Sequence, residues 1–299
     1  MSLSFFDAQT KEFSVDHLNF FVQLSKTAYY DKDTMLGTLT EHKFDIPHKD
    51  IYIENNKTDT QCFVFSHQNN IFIIFRGSEQ KLSDWKTNFK FHKTPWPGHE
   101  EKGKVHTGFY QAVESVWDDL QQKVNREIAF IQAKDKDAKA IIWVSGHSLG
   151  GSLAQVAFTK YLLGGLPKHV ELANSYVYAA PRFASKKLAK YIDANFSQDI
   201  YRIVKQSDLI PRTPHRSAGY KNCFTLKFFN KKDLLVSAQD FSLLEKLSHR
   251  FSDVILFTRY FISIIPFINL ISLKQIVKAH DIDDYARLCQ TLREQINQK

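Results

Sequence analysis

A serine lies between two glycines in Val144–Ala154, whose sequence is VSGHSLGGSLA. Residues 141–144 are apolar and mostly β-branched, so they predict a buried strand, and the small residues that follow predict a closely packed helix. Gly146 and Gly150 lack the side chains that would clash in a sharp strand-to-helix turn. Such a turn leaves a serine hydroxyl free for nucleophilic attack, which makes Ser148 the candidate nucleophile.

A serine hydroxyl is a poor nucleophile at neutral pH, so it needs a base, and the base needs an orienting carboxylate. Asp208 is the predicted carboxylate because it follows the apolar strand Ile200–Val204. This position lies at the same edge of a parallel sheet as the serine turn. Asp193 and Asp199 precede that strand and are poorer candidates.

Three histidines follow Asp208 in the chain. His215 follows it too closely to fold back easily, and His249 lies in a predicted helix among charged neighbours. His280 precedes the last predicted helix, Asp284–Gln298, in a loop that can deliver an imidazole to the sheet edge. His280 is therefore the predicted base.

Two earlier histidines have simpler interpretations. His147 directly precedes the nucleophile, so we expect it to point away from Ser148 and to make a buried hydrogen bond. His106 leads into a predicted helix. Neither is assigned a proton-transfer role.

Attack on an ester creates an oxyanion that needs preorganised hydrogen-bond donors. Leu149, directly after the nucleophile, is expected to supply one backbone N–H. The strand Ile73–Phe75 leads to Gly77, which permits a close approach, and then to Ser78, which offers an amide and a hydroxyl. Ser78 and Leu149 are the predicted oxyanion hole.

The elements that position these residues alternate between strands and helices along the chain, which predicts an α/β fold with a mostly parallel sheet covered on both faces. Apolar runs on either side of a turn predict a hairpin, Cys62–Ser66 with Ile71–Phe75. Helical periodicity predicts further helices over Asp16–Tyr30, Phe109–Ile131, Leu153–Leu163 and Ser185–Ala194. Strands are expected over Ser175–Ala179 and, at the periphery, Asn222–Phe229.

The composition is that of a soluble globular protein, with 299 residues of which 43% are hydrophobic and 24% charged. We expect one domain over residues 1–299. The net charge of +8 is scattered and accompanies no nucleic-acid motif, so a nucleic-acid partner is not expected, whereas an anionic membrane surface remains a candidate. The chemistry requires no metal and no organic cofactor.

Two features of the sequence bear on the cellular location of the protein, namely its cysteines and its N-terminal residues. The three cysteines, Cys62, Cys223 and Cys289, show no metal-binding spacing and fit small buried side chains in a reducing compartment. The N-terminus shows no basic region followed by an apolar one, so no secretory signal is visible. We therefore expect a cytoplasmic location by default, with peripheral membrane association or export without a cleaved signal as alternatives.

An apolar stretch between Val254 and Ile271 approaches the length of a membrane span. One crossing there would separate His280 from Asp208 across the bilayer, so we do not expect a span. Residues of approximately 238–277 are instead predicted to form a helical insertion, either a cap over the sheet or an interfacial lid. The segments 80–88 and 94–98 are two other candidate gates.

Several of these motifs together resemble the class 3 lipase family, which includes the filamentous-fungal triacylglycerol lipases. The matching pieces are IIFRGSEQKLSDWKTNFKF, VHTGFYQAV, VSGHSLGGSLA, YVYAAPRF, RIVKQSDLIPRTP and HDIDDY. The resemblance implies an α/β-hydrolase fold, the triad Ser148, Asp208 and His280, and the oxyanion hole formed by Ser78 and Leu149. Some family members brace that serine with an aspartate three residues after a tryptophan, where this chain has Asn88 after Trp85.

The predicted function is therefore serine-dependent hydrolysis of lipid esters through a covalent acyl-enzyme, of the triacylglycerol lipase or carboxylesterase type. Phospholipase A1 activity and acyl transfer to an alcohol are alternatives, because the same acyl-enzyme serves them. From a different class, the chain could be a lipid-binding or effector protein with a vestigial triad.

Overall fold

A mixed β-sheet forms the centre of the computed structural model, which describes residues 6, 10, 12–78, 92–196, 199–237 and 278–298. Its strands are β1 (Tyr52–Asn55), β2 (Thr60–His67), β3 (Asn70–Phe75), β6 (Ala140–His147), β7 (Val170–Leu172), β8 (Ser175–Tyr178), β10 (Ile200–Lys205), β12 (Thr225–Phe229) and β13 (Leu235–Ser237). They lie in the order β1-β2-β3-β6-β8-β10-β12-β13, and β7 pairs with β6. The pairs that join β3, β6, β8, β10 and β12 are parallel, and those at both edges are antiparallel.

Helices cover both faces of this sheet. One face packs against α1 (Val15–Thr27), α2 (Lys32–Glu41) and α6 (Ile282–Asn297), and the other against α3 (Thr107–Lys134), α4 (Leu149–Gly164) and α5 (Lys186–Asn195). The predicted α/β-hydrolase architecture, with a mostly parallel sheet between helical layers, is confirmed. The predicted hairpin is confirmed too, since β2 and β3 pair antiparallel.

Helix α3 shows how the sequence pattern produces burial. Its apolar side chains recur every three or four residues, so they form one stripe that faces the sheet. The buried members of this stripe are Phe109, Val113, Val116, Leu120, Val124 and Ile131. The helix begins where the side chain of His106 accepts a hydrogen bond from the backbone N–H of Phe109.

A second, small sheet lies beside the main one. Its strands are β4 (Lys93–Pro95), β5 (Lys104–His106), β9 (Ala184–Ser185) and β11 (Tyr220–Lys221), in the antiparallel order β11-β9-β5-β4. The sequence analysis did not predict it, because strands of two or three residues are too short to show a period. It contains part of the candidate gate 94–98, where Trp96 is buried.

Two predicted features lie outside the described residues. They are the helical insertion of approximately residues 238–277 and the candidate gate 80–88. The residues Trp85 and Asn88, which concern the support of Ser78, also lie there.

Candidate active site

Ser148 stands at a strained turn between β6 and α4. Its backbone has φ 58° and ψ −127°, a region that non-glycine residues rarely adopt. Such a conformation costs on the order of 1–3 kcal/mol and persists only when surrounding structure imposes it. Here the N–H of Ser148 donates to the carbonyl of Tyr178 at the end of β8, at 2.9 Å.

Glycines make this turn possible. A Cβ on Gly150 would lie 2.7 Å from the carbonyl oxygen of Arg76 and would collide with that of Phe75. A Cβ on Gly146 would lie 2.8 Å from the same Phe75 oxygen. The backbone at both positions touches the end of β3, so the prediction that these glycines remove clashes is confirmed.

The structure brings the three remote candidates together at the carboxyl edge of the parallel strands. His280 Nε2 lies 2.7 Å from Ser148 Oγ, and His280 Nδ1 lies 2.9 Å from Asp208 Oδ2. All three side chains are buried, with Asp208 completely inaccessible to solvent. The chain of hydrogen bonds runs from hydroxyl to imidazole to carboxylate, which is the arrangement that activates a serine nucleophile.

Asp208 has two further hydrogen-bond donors. The backbone N–H of Ile210 donates to Oδ1 at 3.0 Å, and the hydroxyl of Tyr285 donates to Oδ2 at 2.8 Å. The Tyr285 oxygen also accepts from the N–H of Lys205, at 2.9 Å. Burial, and after it the Asp208 charge, raises the pKa of Tyr285, so the phenol stays protonated and remains a donor.

The sequence analysis missed Tyr285. It is the last residue of the motif HDIDDY and lies in the first turns of α6, but nothing in that motif says which carboxylate it contacts. The available signal was a tyrosine shortly after the candidate base, at the start of a helix that packs against the sheet.

His147 links the nucleophile turn to the loop of the base. Its Nε2 lies 2.9 Å from the His280 carbonyl oxygen, and its Nδ1 lies 2.8 Å from the Tyr29 hydroxyl. Burial, and after it the nearby His280, lowers the pKa of His147 well below its ordinary value. The neutral ring therefore donates from Nε2 and accepts from Tyr29 at Nδ1. The expected buried hydrogen bond of His147 is confirmed.

The other histidines have local roles. His106 is buried, stacks on Phe109 at a ring-centroid distance of 3.9 Å and caps α3. Burial lowers its pKa to about 4. His215 contacts the hydroxyl of Ser217, two residues away, at 2.8 Å. His249 lies outside the described residues.

The predicted oxyanion donors lie on two elements next to the nucleophile. Leu149 begins α4, where the first backbone N–H groups have no acceptor within the helix and the helix dipole favours negative charge. Ser78 follows β3 and Gly77. A Cβ on Gly77 would lie 2.8 Å from the His147 carbonyl and would overlap the Tyr29 hydroxyl, which confirms the expected close approach.

The cysteines and acidic groups give no sign of a metal centre. Cys62, Cys223 and Cys289 are buried and form no disulfide, as expected for small buried side chains. Burial raises the pKa of the Cys62 thiol to about 12. Within the described ranges, no group of His, Cys, Asp and Glu side chains could hold a metal ion. Nor does any helix in those ranges have the length and apolar character needed to cross a membrane.

Comparisons with known proteins find similarity to lipases. The family model described as Lipase (class 3) matches residues 72–218. A secreted mono- and diacylglycerol lipase A of Penicillium cyclopium is 29% identical over 227 residues, which cover 72% of this chain and 69% of that protein. Phospholipase A1-IIgamma of Arabidopsis thaliana is 25% identical over 174 residues, or 52% of this chain and 41% of that protein.

A solved structure of a triacylglycerol lipase whose catalytic centre is a serine-protease triad superposes with a TM-score of 0.58. It is 21% identical to this chain and covers 72% of it, while the chain covers 80% of that structure. This likeness supports the same fold. The expected cytoplasmic location gains no support from the relatives, because the Penicillium lipase is a secreted protein.

Proposed function

We propose that this chain, whose residues 72–218 match the class 3 lipase family, uses Ser148, His280 and Asp208 as the catalytic triad of a serine-dependent lipid ester hydrolase. The observation that carries the assignment of residues is the pair of distances at His280, 2.7 Å to the serine oxygen and 2.9 Å to the carboxylate. A vestigial triad would need neither contact, yet both are present, and Ser148 is held in a strained turn.

Acylation begins when Ser148 Oγ attacks the ester carbonyl while His280 Nε2 takes the hydroxyl proton. The Asp208 carboxylate accepts from Nδ1–H and stabilises the imidazolium that forms. The tetrahedral oxyanion lies against the N–H of Leu149 and the donors of Ser78, each worth about 3–4 kcal/mol in such sites. His280 then gives the proton to the alcohol oxygen, the C–O bond breaks and the acyl-enzyme remains.

Deacylation repeats these roles with water. His280 takes a proton from the water that attacks the acyl carbon, and it returns that proton to Ser148 Oγ as the fatty acid leaves. An alcohol in place of water would give acyl transfer by the same steps. No step requires a metal or an organic cofactor.

Phospholipase A1 activity is the second candidate function. The net charge of +8 favours substrates at anionic surfaces, and one relative is a phospholipase A1. We also propose peripheral contact with an anionic membrane surface. Export is the proposed location, because the Penicillium relative is described as secreted.

Labelling with a fluorophosphonate probe tests the assignment of the nucleophile. We expect stoichiometric labelling of the wild type at Ser148, and no labelling and no ester hydrolysis in a folded Ser148→Ala variant. Failure of the folded wild type to label would favour the lipid-binding or effector alternative. Release of fatty acid from triacylglycerol compared with phosphatidylglycerol then separates lipase from phospholipase A1.

A further inference from the structure

A row of lysines lies along three neighbouring strands of the small sheet. The members of this lysine row are Lys93 in β4, Lys104 in β5 and Lys186 directly after β9, and these strands lie side by side in the order β9-β5-β4. Lys93 pairs with His106, two residues from Lys104 on the same strand, so Lys93 and Lys104 share one face of the sheet. Lys221 in β11 pairs with Ala184, the partner of Val105, so it belongs to the other face and is not part of the row. Further cations flank the row, namely Lys102, Lys187, Lys190 and Arg216.

Backbone contacts join the segments that carry these lysines. The N–H of Lys104 donates to the hydroxyl of Ser185 at 2.9 Å, and Lys186 is the next residue in the chain. The N–H of Lys186 donates to the carbonyl of Gly219, two residues before Lys221, at 3.1 Å. Burial, and after it the positive charges of Lys104 and Lys186, lowers the pKa of Lys93.

Two carboxylates lie close to cations at this surface. Lys221 lies 3.5 Å from Asp193, and Lys102 lies 3.9 Å from Glu101. In the part of the chain that the structure describes, no carboxylate forms an ion pair with Lys104, Lys186 or Lys187. All three of these side chains are exposed.

The first turn of α5 carries positive charges at an electrostatically unfavourable position. It contains Lys186 and Lys187 and no acidic residue, although cations are unfavourable at the positive end of a helix dipole. These charges therefore do not stabilise the helix that carries them. An anionic partner would offset both the dipole and the mutual repulsion of the lysines.

The small sheet is attached to the catalytic edge by two short connections. Residues 179–183 lead from β8 to β9, and the Pro181 carbonyl accepts from the Ser152 hydroxyl at 3.0 Å, four residues after the nucleophile. The second connection runs from Asp208 to β11. The Arg182 guanidinium joins the two, since it donates to the Pro214 carbonyl at 2.9 Å. The lysine row therefore lies at the same end of the molecule as the triad.

We propose that the lysine row, together with Lys187 and Lys190, docks the protein on bilayers that contain anionic phospholipid and so presents the catalytic edge to its substrate. This inference rests on the proposed lipid ester hydrolysis. A bilayer fits better than a single small anion, because the charges extend over β4, β5 and the first turn of α5 rather than converging on one point. Each lysine close to an anionic surface is expected to strengthen binding about fivefold.

Vesicle sedimentation with a triple variant, Lys104→Gln, Lys186→Gln and Lys187→Gln, tests the proposal. The matched control carries Lys136→Gln, Lys139→Gln and Lys168→Gln, which lie just before β6 and β7, at the ends of these strands opposite the triad, and change the net charge equally. Vesicles contain phosphatidylcholine alone or with phosphatidylglycerol. We expect the triple variant to lose binding to the anionic vesicles roughly 100-fold and the control variant to lose far less. Wild-type binding should weaken at high salt.

Three results would overturn the proposal. The first is that the triple variant binds the anionic vesicles as tightly as the wild type does. The second is an equal loss of binding in both variants, which would reduce the effect to net charge. The third is that the wild type binds duplex RNA in preference to the anionic vesicles at equal phosphate concentration. Hydrolysis of soluble p-nitrophenyl butyrate and fluorophosphonate labelling should stay at wild-type levels in the triple variant. Those two assays report on the triad independently, so a failed docking surface and a failed hydrolase assignment give different patterns.

Discussion

The nucleophile and the base of this site are held in different ways. The turn at Ser148 is built from neighbours in the chain, namely a strand, two glycines and a helix N-terminus, and it then packs against the ends of β3 and β8. His280 depends on two groups that are remote in the chain, namely Asp208 and His147, and Asp208 is held in turn by Tyr285, shortly after the base. The nucleophile is recognised from its own motif, whereas the base is predicted from its place in the chain and its supports become visible only in the folded structure.

Asp208→Asn is expected to have the largest effect on the histidine side. The amide cannot stabilise the imidazolium and favours the wrong tautomer, so kcat should fall about 10⁴-fold, as for the equivalent change in a serine protease. Steady-state hydrolysis of p-nitrophenyl butyrate measures it. The matched control is Asp193→Asn, the carboxylate that sequence analysis ranked lower, which should keep its activity. Similar losses in both variants would remove Asp208 from its assigned role.

Gly150→Ala is the corresponding test on the nucleophile side. The new methyl group meets backbone oxygens of β3 that cannot move independently, so the free energy of unfolding should fall by about 4 kcal/mol or folding should fail. The control is Gly37→Ala within α2, where a Cβ would meet nothing within 4 Å. There, helix propensity should raise stability by about 0.5–1 kcal/mol. Urea unfolding distinguishes them, and equal stabilities would contradict the local account.

The pH dependence of stability tests the buried histidines. The folded-state pKa of His147 lies well below the unfolded value, and that of His106 is about 4. Below pH about 6.5 the unfolded chain therefore binds protons that the folded chain does not. The free energy of unfolding should fall as the pH drops from 7 toward 4, by up to about 1.4 kcal/mol per pH unit for each histidine.

His106→Asn separates the contributions of the two histidines to this pH dependence. Asparagine also caps helices well, so the start of α3 should be preserved. This variant should show a shallower pH dependence in denaturant unfolding at pH 7, 6 and 5, with an unchanged kcat. An unchanged slope would mean that His106 is protonated in the folded protein.

Tyr285→Phe removes a hydrogen bond to Asp208, the carboxylate that orients the base, without removing a reacting group. The change leaves Asp208 Oδ2 and the Lys205 N–H each with one partner fewer. We expect kcat to fall about tenfold with little change in KM, since one hydrogen bond to a charged group is worth about 1.5–3 kcal/mol. Tyr30→Phe, at an exposed tyrosine, should change neither quantity.

Tyr29→Phe should have the smallest effect. It removes the donor to His147 Nδ1, and His147 in turn contacts His280 at the carbonyl oxygen and, ring to ring, at a centroid distance of 4.9 Å. A loss of a few-fold in kcat is expected, because a neutral hydrogen bond contributes about 1 kcal/mol and acts here through an intermediary. A loss as large as that of Asp208→Asn would make His147 a participant in proton transfer rather than a support.

The parts of the molecule that sequence analysis predicted share a local signal. The turn at Ser148 has its glycines, Asp208 follows an apolar strand, and α3 has a long helical period. The small sheet has no such signal, because β9 and β11 contain two residues each and pair only with distant segments. Tyr29 and Tyr285 were missed for a related reason. A tyrosine reveals its partner only through tertiary structure.

The most direct test of the central claim is a double-mutant cycle on kcat/KM with Ser148→Ala, His280→Ala and the double variant. If the two side chains act as one unit, each single change removes nearly all of the triad's contribution and the double variant is about as active as either single variant. Independent losses that multiply in the double variant would show that Ser148 and His280 do not work together, and would contradict the triad.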